Sequence, residues 1–84
     1  MIYSVFIEKS AKKELTKIGL PDRDRIITAI RKLSENPRPL KVKKLTGREA
    51  WRIRIGNYRV IYEIKDDQLI VLVITIGHRR EIYR

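Results

Sequence analysis

Two runs of alternating residues, separated by the dipeptide Gly56-Asn57, constrain the fold of this chain more than any other feature. Apolar residues and arginines alternate from 51 to 55, and apolar residues recur at every second position from 58 to 64. A period of two is typical of a β-strand with one buried face. Glycine followed by asparagine is typical of a two-residue hairpin turn. We therefore predict an antiparallel β-hairpin over residues 51–65.

A two-residue turn also fixes which residues of the hairpin face each other. Ile55 then lies opposite Tyr58 and Arg54 lies opposite Arg59, with Arg52 on the same face as the two arginines. Like charges in directly opposed positions repel each other and destabilise a sheet. A bound anion would remove that repulsion, because the planar guanidinium fork matches phosphate. The pattern favours an anion-binding face over a charged surface without a ligand.

The rest of the chain supplies two helices and two further strands. Residues 2–7 are rich in β-branched and aromatic side chains and predict a first strand. Apolar residues then recur at helical spacing over 11–18 and 26–33, with Gly19 between the two segments and Asn36-Pro37 after them. The apolar run from Leu69 to Ile76 follows a turn at Asp66-Asp67 and predicts an interior strand.

These elements define the expected fold class, which is α+β in a single domain spanning residues 1–84. The N-terminal strand leads into a two-helix hairpin, and a three-stranded antiparallel meander follows a basic connector at residues 37–50. One sheet packed on the helices buries the apolar faces of both layers. With 84 residues and no cysteine, the chain must rely on that core rather than on disulfides or a thiolate metal site.

Composition also predicts the cellular compartment of the protein and the class of ligand that it binds. The chain has a net charge of +10, and residues 38–59 hold eight basic residues against Glu49 alone. A local excess of this kind is typical of a surface that binds a polyanion. The lack of cysteine favours a reducing compartment. No signal peptide opens the sequence, and its longest apolar run is too short to cross a bilayer. We therefore expect a cytoplasmic protein without membrane contact.

The last eight residues place phosphate binders beside proton carriers, directly after the apolar strand. His78 and Tyr83 have side chains that move protons, while the guanidinium of Arg79 stays charged and binds phosphate. Such a combination favours a site that acts on nucleic acid.

Other single residues have a plainer interpretation. Trp51, Tyr58 and Tyr62 share the apolar face of the hairpin, so packing in the core is favoured over stacking on a base. His78 alone is a weak signal and gains weight only from its neighbours. One histidine without any cysteine supplies too few ligands for zinc, and the sequence carries no glycine-rich phosphate loop. We expect neither a metal nor a cofactor.

Three short motifs occur in a characteristic order. They are Arg52-Ile53-Arg54 on one strand, Tyr58-Arg59-Val60-Ile61-Tyr62 on the next, and Ile76-Gly77-His78-Arg79 followed by Glu81-Ile82-Tyr83. Together they resemble the RelE toxins of bacterial and archaeal toxin–antitoxin pairs, within the RelE/ParE superfamily. The resemblance spans nearly the whole chain and includes the helical hairpin. It implies a small antiparallel sheet packed on two helices, in agreement with the fold predicted from the residues.

Similarity to RelE implies a ribosome-dependent endoribonuclease that inhibits translation by cutting mRNA in the A site of the 30S subunit. The ribose 2′-hydroxyl attacks the neighbouring phosphodiester, without a metal. The implied catalytic residues are Arg54, Arg59, His78, Arg79 and Tyr83. The implied contacts to RNA phosphates are Arg52, Lys41, Lys43, Lys44, Arg48, Arg80 and Arg84.

One departure from RelE changes the expected chemistry. Arg52 and Arg54 occupy positions where RelE has lysines. An arginine with a pKa above about 12 is a poor proton acceptor. The resemblance therefore leaves His78 or Tyr83 as the expected base, while Arg54 and Arg59 hold the phosphate.

Two other functions stay open, and each implies different partners. A ParE-like toxin shares the fold but poisons DNA gyrase through a protein contact. A basic RNA-binding module without catalysis would bind RNA or ribosomes in a salt-sensitive manner. The family also implies a cognate antitoxin, and the charge of +10 predicts that it presents an acidic, partly disordered segment. We expect a monomeric toxin that becomes oligomeric with its antitoxin and otherwise meets the ribosome with its mRNA and rRNA.

Overall fold

The architecture follows the predicted order of one strand, two helices and further strands. In a computed structural model, which describes residues 2–47 and 49–78, these residues form two helices and five strands. The elements are β1 (Ser4–Ile7), α1 (Lys9–Lys17), α2 (Asp22–Lys32), β2 (Lys43–Lys44), β3 (Trp51–Ile55), β4 (Tyr58–Lys65) and β5 (Ile70–His78). The α+β class is therefore confirmed. The helices described here are too short and polar to cross a membrane.

The strands form one mixed sheet in the order β1-β5-β4-β3-β2. The meander from β3 to β5 is antiparallel as predicted, and β5 is an interior strand. The prediction was incomplete at both edges of the sheet. β1 pairs in parallel with β5, and the connector contributes β2, which pairs Lys43 with Arg52 and Lys44 with Trp51. The connector holds two prolines and several lysines, so its sequence has no alternating pattern that would indicate a strand.

The two helices follow from local sequence and bury one side each. Ala11 is the buried residue of α1, which lies against β5. In α2, Asp22 and Asp24 occupy the first turn and basic residues the last, which complements the helix dipole. Ile26 and Ile30 form its buried stripe. The apolar sides of both helices therefore face the sheet and leave their charged sides in water.

The core lies between the helices and one face of the sheet. Its largest fully buried side chains include Tyr62, Ile26 and Leu33. Trp51 and Tyr58 are half-buried and pack against this core, which confirms the interpretation of all three aromatic residues as packing residues. The hydroxyl of Tyr62 donates a hydrogen bond of 2.7 Å to the carbonyl oxygen of Pro37. Burial raises the pKa of Tyr62, so this hydroxyl stays protonated and keeps donating.

A polar clasp formed by Tyr3, Arg38 and Asp66 joins three separate parts of the chain. The Arg38 guanidinium donates to both carboxylate oxygens of Asp66, with Nη1 to Oδ1 at 3.2 Å and Nη2 to Oδ2 at 2.7 Å. The Tyr3 hydroxyl donates to Oδ1 of Asp66 at 2.6 Å. The same guanidinium lies 5.2 Å from the centre of the Trp51 ring, in a cation–π contact. The clasp thus fixes the start of the connector to the turn between β4 and β5.

The clasp makes folding stability depend on pH in a predictable way. Hydrogen bonds from Arg38, and then from Tyr3, lower the pKa of Asp66 from 3.8 to about 2. A carboxyl group whose pKa is lower in the folded state stabilises the fold above its unfolded pKa. That stability is lost as the pH falls through the folded pKa. The contribution is modest, because the Arg38 and Asp66 side chains are 41% and 55% exposed.

We therefore expect Asp66→Asn to lower the melting temperature by a few degrees at neutral pH. The difference from the unaltered chain should shrink between pH 4 and pH 2, where the carboxylate of the unaltered chain becomes protonated. Thermal unfolding followed by circular dichroism across this pH range measures it. A difference that stays constant down to pH 2 would contradict the role given to the clasp.

Candidate functional site

A cationic cleft of about 540 Å³ lies on the face of the sheet that points away from the core. Its lining residues are Lys41, Lys43, Arg52, Arg54, Gly56 and Arg59. Apart from Gly56, all of these lining residues are basic. A concave surface with cations on several sides focuses its field on the space between them. The cleft is therefore suited to a polyanion rather than to a neutral or basic ligand.

The hairpin register brings these cations together. Arg54 is directly opposite Arg59 across β3 and β4, as predicted from the two-residue turn. On the other side of β3, Arg52 is directly opposite Lys43 of β2. Directly opposed residues point to the same face of a sheet, as do residues two apart along a strand. Pairing and alternation together are enough to place these side chains on one surface.

Arg59 is the most buried of the lining residues, with only 6% of its surface exposed. It lies on the interior strand β4, and the residue directly opposite it on β5 is Gly77, which has no side chain. A charge partly withdrawn from water interacts more strongly with an anion than an exposed one does. Arg59 is therefore the residue in the cleft from which we expect the strongest single contribution to anion binding.

The turn between β3 and β4 orients a second arginine. Gly56 has a φ of +59°, which is the left-handed region that glycine adopts without strain. The carbonyl oxygen of Gly56 accepts a hydrogen bond of 3.3 Å from Nε of Arg54. This hydrogen bond engages Nε of Arg54 and does not occupy the two terminal nitrogens of its guanidinium. The turn glycine thus has a role in the site that sequence analysis did not assign to it.

The connector forms the opposite wall of the cleft. Residues 39–42 make a β-turn closed by a hydrogen bond of 3.2 Å from the Val42 amide to the Pro39 carbonyl. Lys41 is the third residue of this turn and has a φ of +76°, which is uncommon for a residue other than glycine. Strained positions of this kind cluster at functional sites. Lys41 lines the cleft from this turn, and Lys43 lines it from β2.

The structure separates two predicted residues from this group. His78 is directly opposite Tyr58 across β4 and β5, and the two rings form an edge-to-face contact with centroids 5.6 Å apart. Since Tyr58 belongs to the face that packs against the core, His78 lies on the other side of the sheet from Arg59. Lys44 is likewise opposite Trp51, and its ammonium lies 3.5 Å from Glu49. Neither residue lines the cationic cleft.

The remaining predicted residues are not covered by the structure. Arg48, Arg79, Arg80, Tyr83 and Arg84 lie outside the described residues, and their assignments stay predictions. Sequence analysis did not predict Gly56 as a lining residue, nor the clasp between Arg38 and Asp66. Gly56 was identified only as part of the turn signal, and no local pattern marks the clasp, because its contact joins positions 28 residues apart in the sequence.

Comparison with known proteins places this chain in a family. Residues 5–83 match the family model described as the ParE toxin of the type II toxin–antitoxin system parDE. The chain is 30% identical over 88 residues to the mRNA interferase toxin RelE of Escherichia coli K12, covering 99% of this chain and 92% of that protein. It is 33% identical over 90 residues to the toxin RelG of Mycobacterium tuberculosis, covering 100% and 99% respectively.

A solved structure agrees with these sequence matches. The archaeal RelE–RelB complex of Pyrococcus horikoshii OT3 matches with a TM-score of 0.85 at 28% identity, covering 94% of this chain and 97% of that one. The family match extends over nearly the entire sequence, and the similarity to RelE proteins inferred from three short motifs is confirmed. This chain therefore belongs to the RelE/ParE superfamily, the toxins of type II toxin–antitoxin systems.

Proposed function

We propose that this toxin is a ribosome-dependent endoribonuclease that cuts mRNA in the A site of the small subunit and thereby stops translation. The observation that carries this proposal is the cationic cleft, in which Arg54 and Arg59 are directly opposed. Its Escherichia coli relative is named an mRNA interferase, which supports the same reaction class. RNA is the polyanion whose own 2′-hydroxyl supplies a nucleophile.

The proposed reaction is a transesterification within the RNA. The 2′-oxygen forms a bond to the adjacent phosphorus as its proton leaves, and the bond from phosphorus to the 5′-oxygen breaks. The leaving 5′-oxygen takes up a proton, so the products are a cyclic phosphate and a 5′-hydroxyl. Negative charge builds up on the phosphate oxygens on the way. Fixed cations that meet this charge give the largest kind of contribution available to such a site.

Within the cleft, the arginines have distinct proposed tasks. Arg59, partly withdrawn from water, and Arg54, oriented by the turn carbonyl, hold the reacting phosphate. Lys41, Lys43 and Arg52 bind the phosphates next to it along the strand. Arg79 is proposed to act with the first pair, on the basis of its match to RelE. Bidentate guanidinium contacts fix a phosphate in orientation as well as in position.

The proton acceptor is proposed to be Tyr83. Arginine does not accept a proton near neutral pH, and the placement of His78 opposite Tyr58 puts the histidine on the other face of the sheet. Of the two residues expected to act as the base, His78 and Tyr83, this leaves Tyr83, which matches the tyrosine of RelE.

We expect Tyr83→Phe to slow cutting by about 10²–10⁴-fold, the usual size of a general acid–base contribution. His78→Ala should change the rate by much less, and the reverse order would reassign the base.

The proposed partners follow from the same charge distribution. The Pyrococcus horikoshii relative was solved together with RelB, and we propose an antitoxin for this toxin whose acidic, partly disordered segment covers the cleft. An acidic segment would neutralise the basic lining and exclude RNA at the same time. The toxin is proposed to act as a monomer in the cytoplasm, where ribosomes are found, and to form oligomers with its antitoxin.

A second candidate function is poisoning of DNA gyrase, which the match to the ParE family model favours. The two functions separate in a purified system. The toxin is added to ribosomes programmed with a defined mRNA and, in parallel, to gyrase with supercoiled DNA. We expect cut mRNA, unaltered DNA and no cutting of the same mRNA without ribosomes. Cleaved DNA complexes with intact mRNA would overturn the ribonuclease proposal in favour of the gyrase one.

A further inference from the structure

The clasp and the cationic cleft are connected by the loop that runs from Arg38 to Lys44. Both ends of this loop meet at Trp51. Arg38 lies over the Trp51 ring at 5.2 Å, and Lys44 is opposite Trp51 in the β2–β3 register. The middle of the loop is the turn from which Lys41 lines the cleft. A loop fixed at both ends loses fewer conformations when its tip binds a ligand.

The two anchors are of different kinds. The Lys44 end is held by strand pairing, which extends over only two residues. At the Arg38 end, the buried hydrogen bond from Tyr62 holds the backbone at Pro37, and the bidentate pair with Asp66 holds the guanidinium over the indole. The Tyr3 hydroxyl also donates a hydrogen bond to Oδ1 of this carboxylate, at 2.6 Å. Without Asp66, Arg38 would be a long exposed side chain with many rotamers.

We propose that Asp66 is a positioning residue for RNA binding, which acts through Arg38 to hold Lys41 and Lys43 on the wall of the cleft. The inference rests on the proposed function only in taking RNA as the ligand. Asp66 touches neither lysine and lies at the far end of β4 from Arg59, at the turn that follows Lys65. Its effect on the cleft is therefore mechanical rather than a direct contact with substrate.

The proposal predicts an effect opposite in sign to that of charge alone. Replacing a carboxylate by an amide makes this basic protein more positive, which by itself strengthens binding to RNA. Loss of the clasp instead releases two lysines from the cleft and weakens binding. Asp67 is a matched control, because it lies in the same turn, is exposed, and makes no ion pair with any other residue that the structure describes. Asp67→Asn changes the charge by the same amount and leaves the clasp intact.

The test measures binding of a fluorescent single-stranded RNA, made uncleavable by 2′-O-methyl groups, to the purified chain over a range of salt concentrations. We expect Asp66→Asn to weaken binding several-fold. Its plot of log affinity against log salt should be shallower by about 0.7 to 1.4 units, since each lost phosphate contact on a single strand removes about 0.7 from the slope and up to two lysines are released. Asp67→Asn should bind as tightly as the unaltered chain or more tightly, with an unchanged slope.

A double-variant comparison shows whether Asp66 acts through the two lysines. In a Lys41→Ala, Lys43→Ala background, Asp66→Asn should no longer weaken binding, because the groups that it positions are gone. A loss that persists unchanged in that background would overturn the proposal. Equal affinities and slopes for Asp66→Asn and Asp67→Asn would overturn it as well, as would the absence of salt-dependent RNA binding by the unaltered chain.

Two further measurements separate the role of Asp66 from unfolding of the variant and from failure of the proposed function. If Asp66→Asn is unfolded at the assay temperature, Tyr3→Phe replaces it, since this change removes one hydrogen bond of the clasp and no charge. It should weaken binding in the same direction, and unchanged binding would count against the proposal. The assay contains no ribosome and no cutting step. A toxin that shows the predicted binding pattern but leaves mRNA intact on ribosomes would overturn the proposed function and support the role of Asp66.

Discussion

Arg59→Ala is expected to slow mRNA cutting on programmed ribosomes by about 10²–10³-fold, the usual cost of removing one fixed donor from a transition state that gathers negative charge. Among the basic residues that line the cleft, Arg59 is the one for which this effect should be largest. Its side chain is 6% exposed, lines the cleft and lies directly opposite Arg54. Single-turnover cutting of a defined message measures the rate of the chemical step.

Two controls separate this effect from a loss of general charge or of folding. Arg31→Ala removes the same side chain from an exposed position in the last turn of α2 and should leave the cutting rate within a factor of two or so of the original. Arg59→Lys keeps a charge in the cleft but loses the planar fork, and we expect an intermediate rate. A folded Arg59→Ala protein that cuts mRNA as fast as Arg31→Ala would contradict the task given to Arg59.

Leu33→Ala is expected to lower the free energy of unfolding by about 2–5 kcal/mol, the usual range for a leucine removed from a packed core. Leu33 caps the C-terminal end of α2 and is fully buried in the core cluster with Ile26 and Tyr62. A domain of this size is stabilised by only about 5–15 kcal/mol in total. The single change should therefore remove a large part of the stability and leave a detectable unfolded fraction under mild denaturing conditions.

Leu40→Ala is the matched control for this experiment, since it is the same chemical change at a residue that is 94% exposed. It should alter the free energy of unfolding by less than about 0.5 kcal/mol. Urea titration followed by circular dichroism compares the two variants under identical conditions. Similar losses for both would mean that Leu33 does not pack as described, and that the helix layer covers the sheet differently.

The parts of the fold that the sequence predicted are those set by local rules. A two-residue turn at Gly56-Asn57 allows only one register for its hairpin, so the opposition of Arg54 and Arg59 followed from the sequence and was confirmed. The two helices were equally predictable, because their apolar residues recur at helical spacing. The convergence of the arginines on one cleft is a direct consequence of that register and needs no distant contact.

What the sequence did not predict depends on contacts between distant residues. The parallel pairing of Ser4 with Ile70 joins the two ends of the described chain, and a local pattern contains no information about such a partner. The face on which His78 lies depends on the register between β4 and β5, which shifts at a bulge between Ile61 and Tyr62. The clasp at the start of the connector likewise joins residues far apart in the sequence, since Arg38 and Tyr3 both bind Asp66.

Primer extension on a translated message after induction of the toxin tests whether the cationic cleft cuts mRNA on the ribosome. We expect new 5′ ends at codon-periodic positions within the reading frame, absent when the start codon of that message is removed and strongly reduced for Arg59→Ala. Growth arrest with an intact message and broken chromosomal DNA would mean that the toxin is not a ribonuclease.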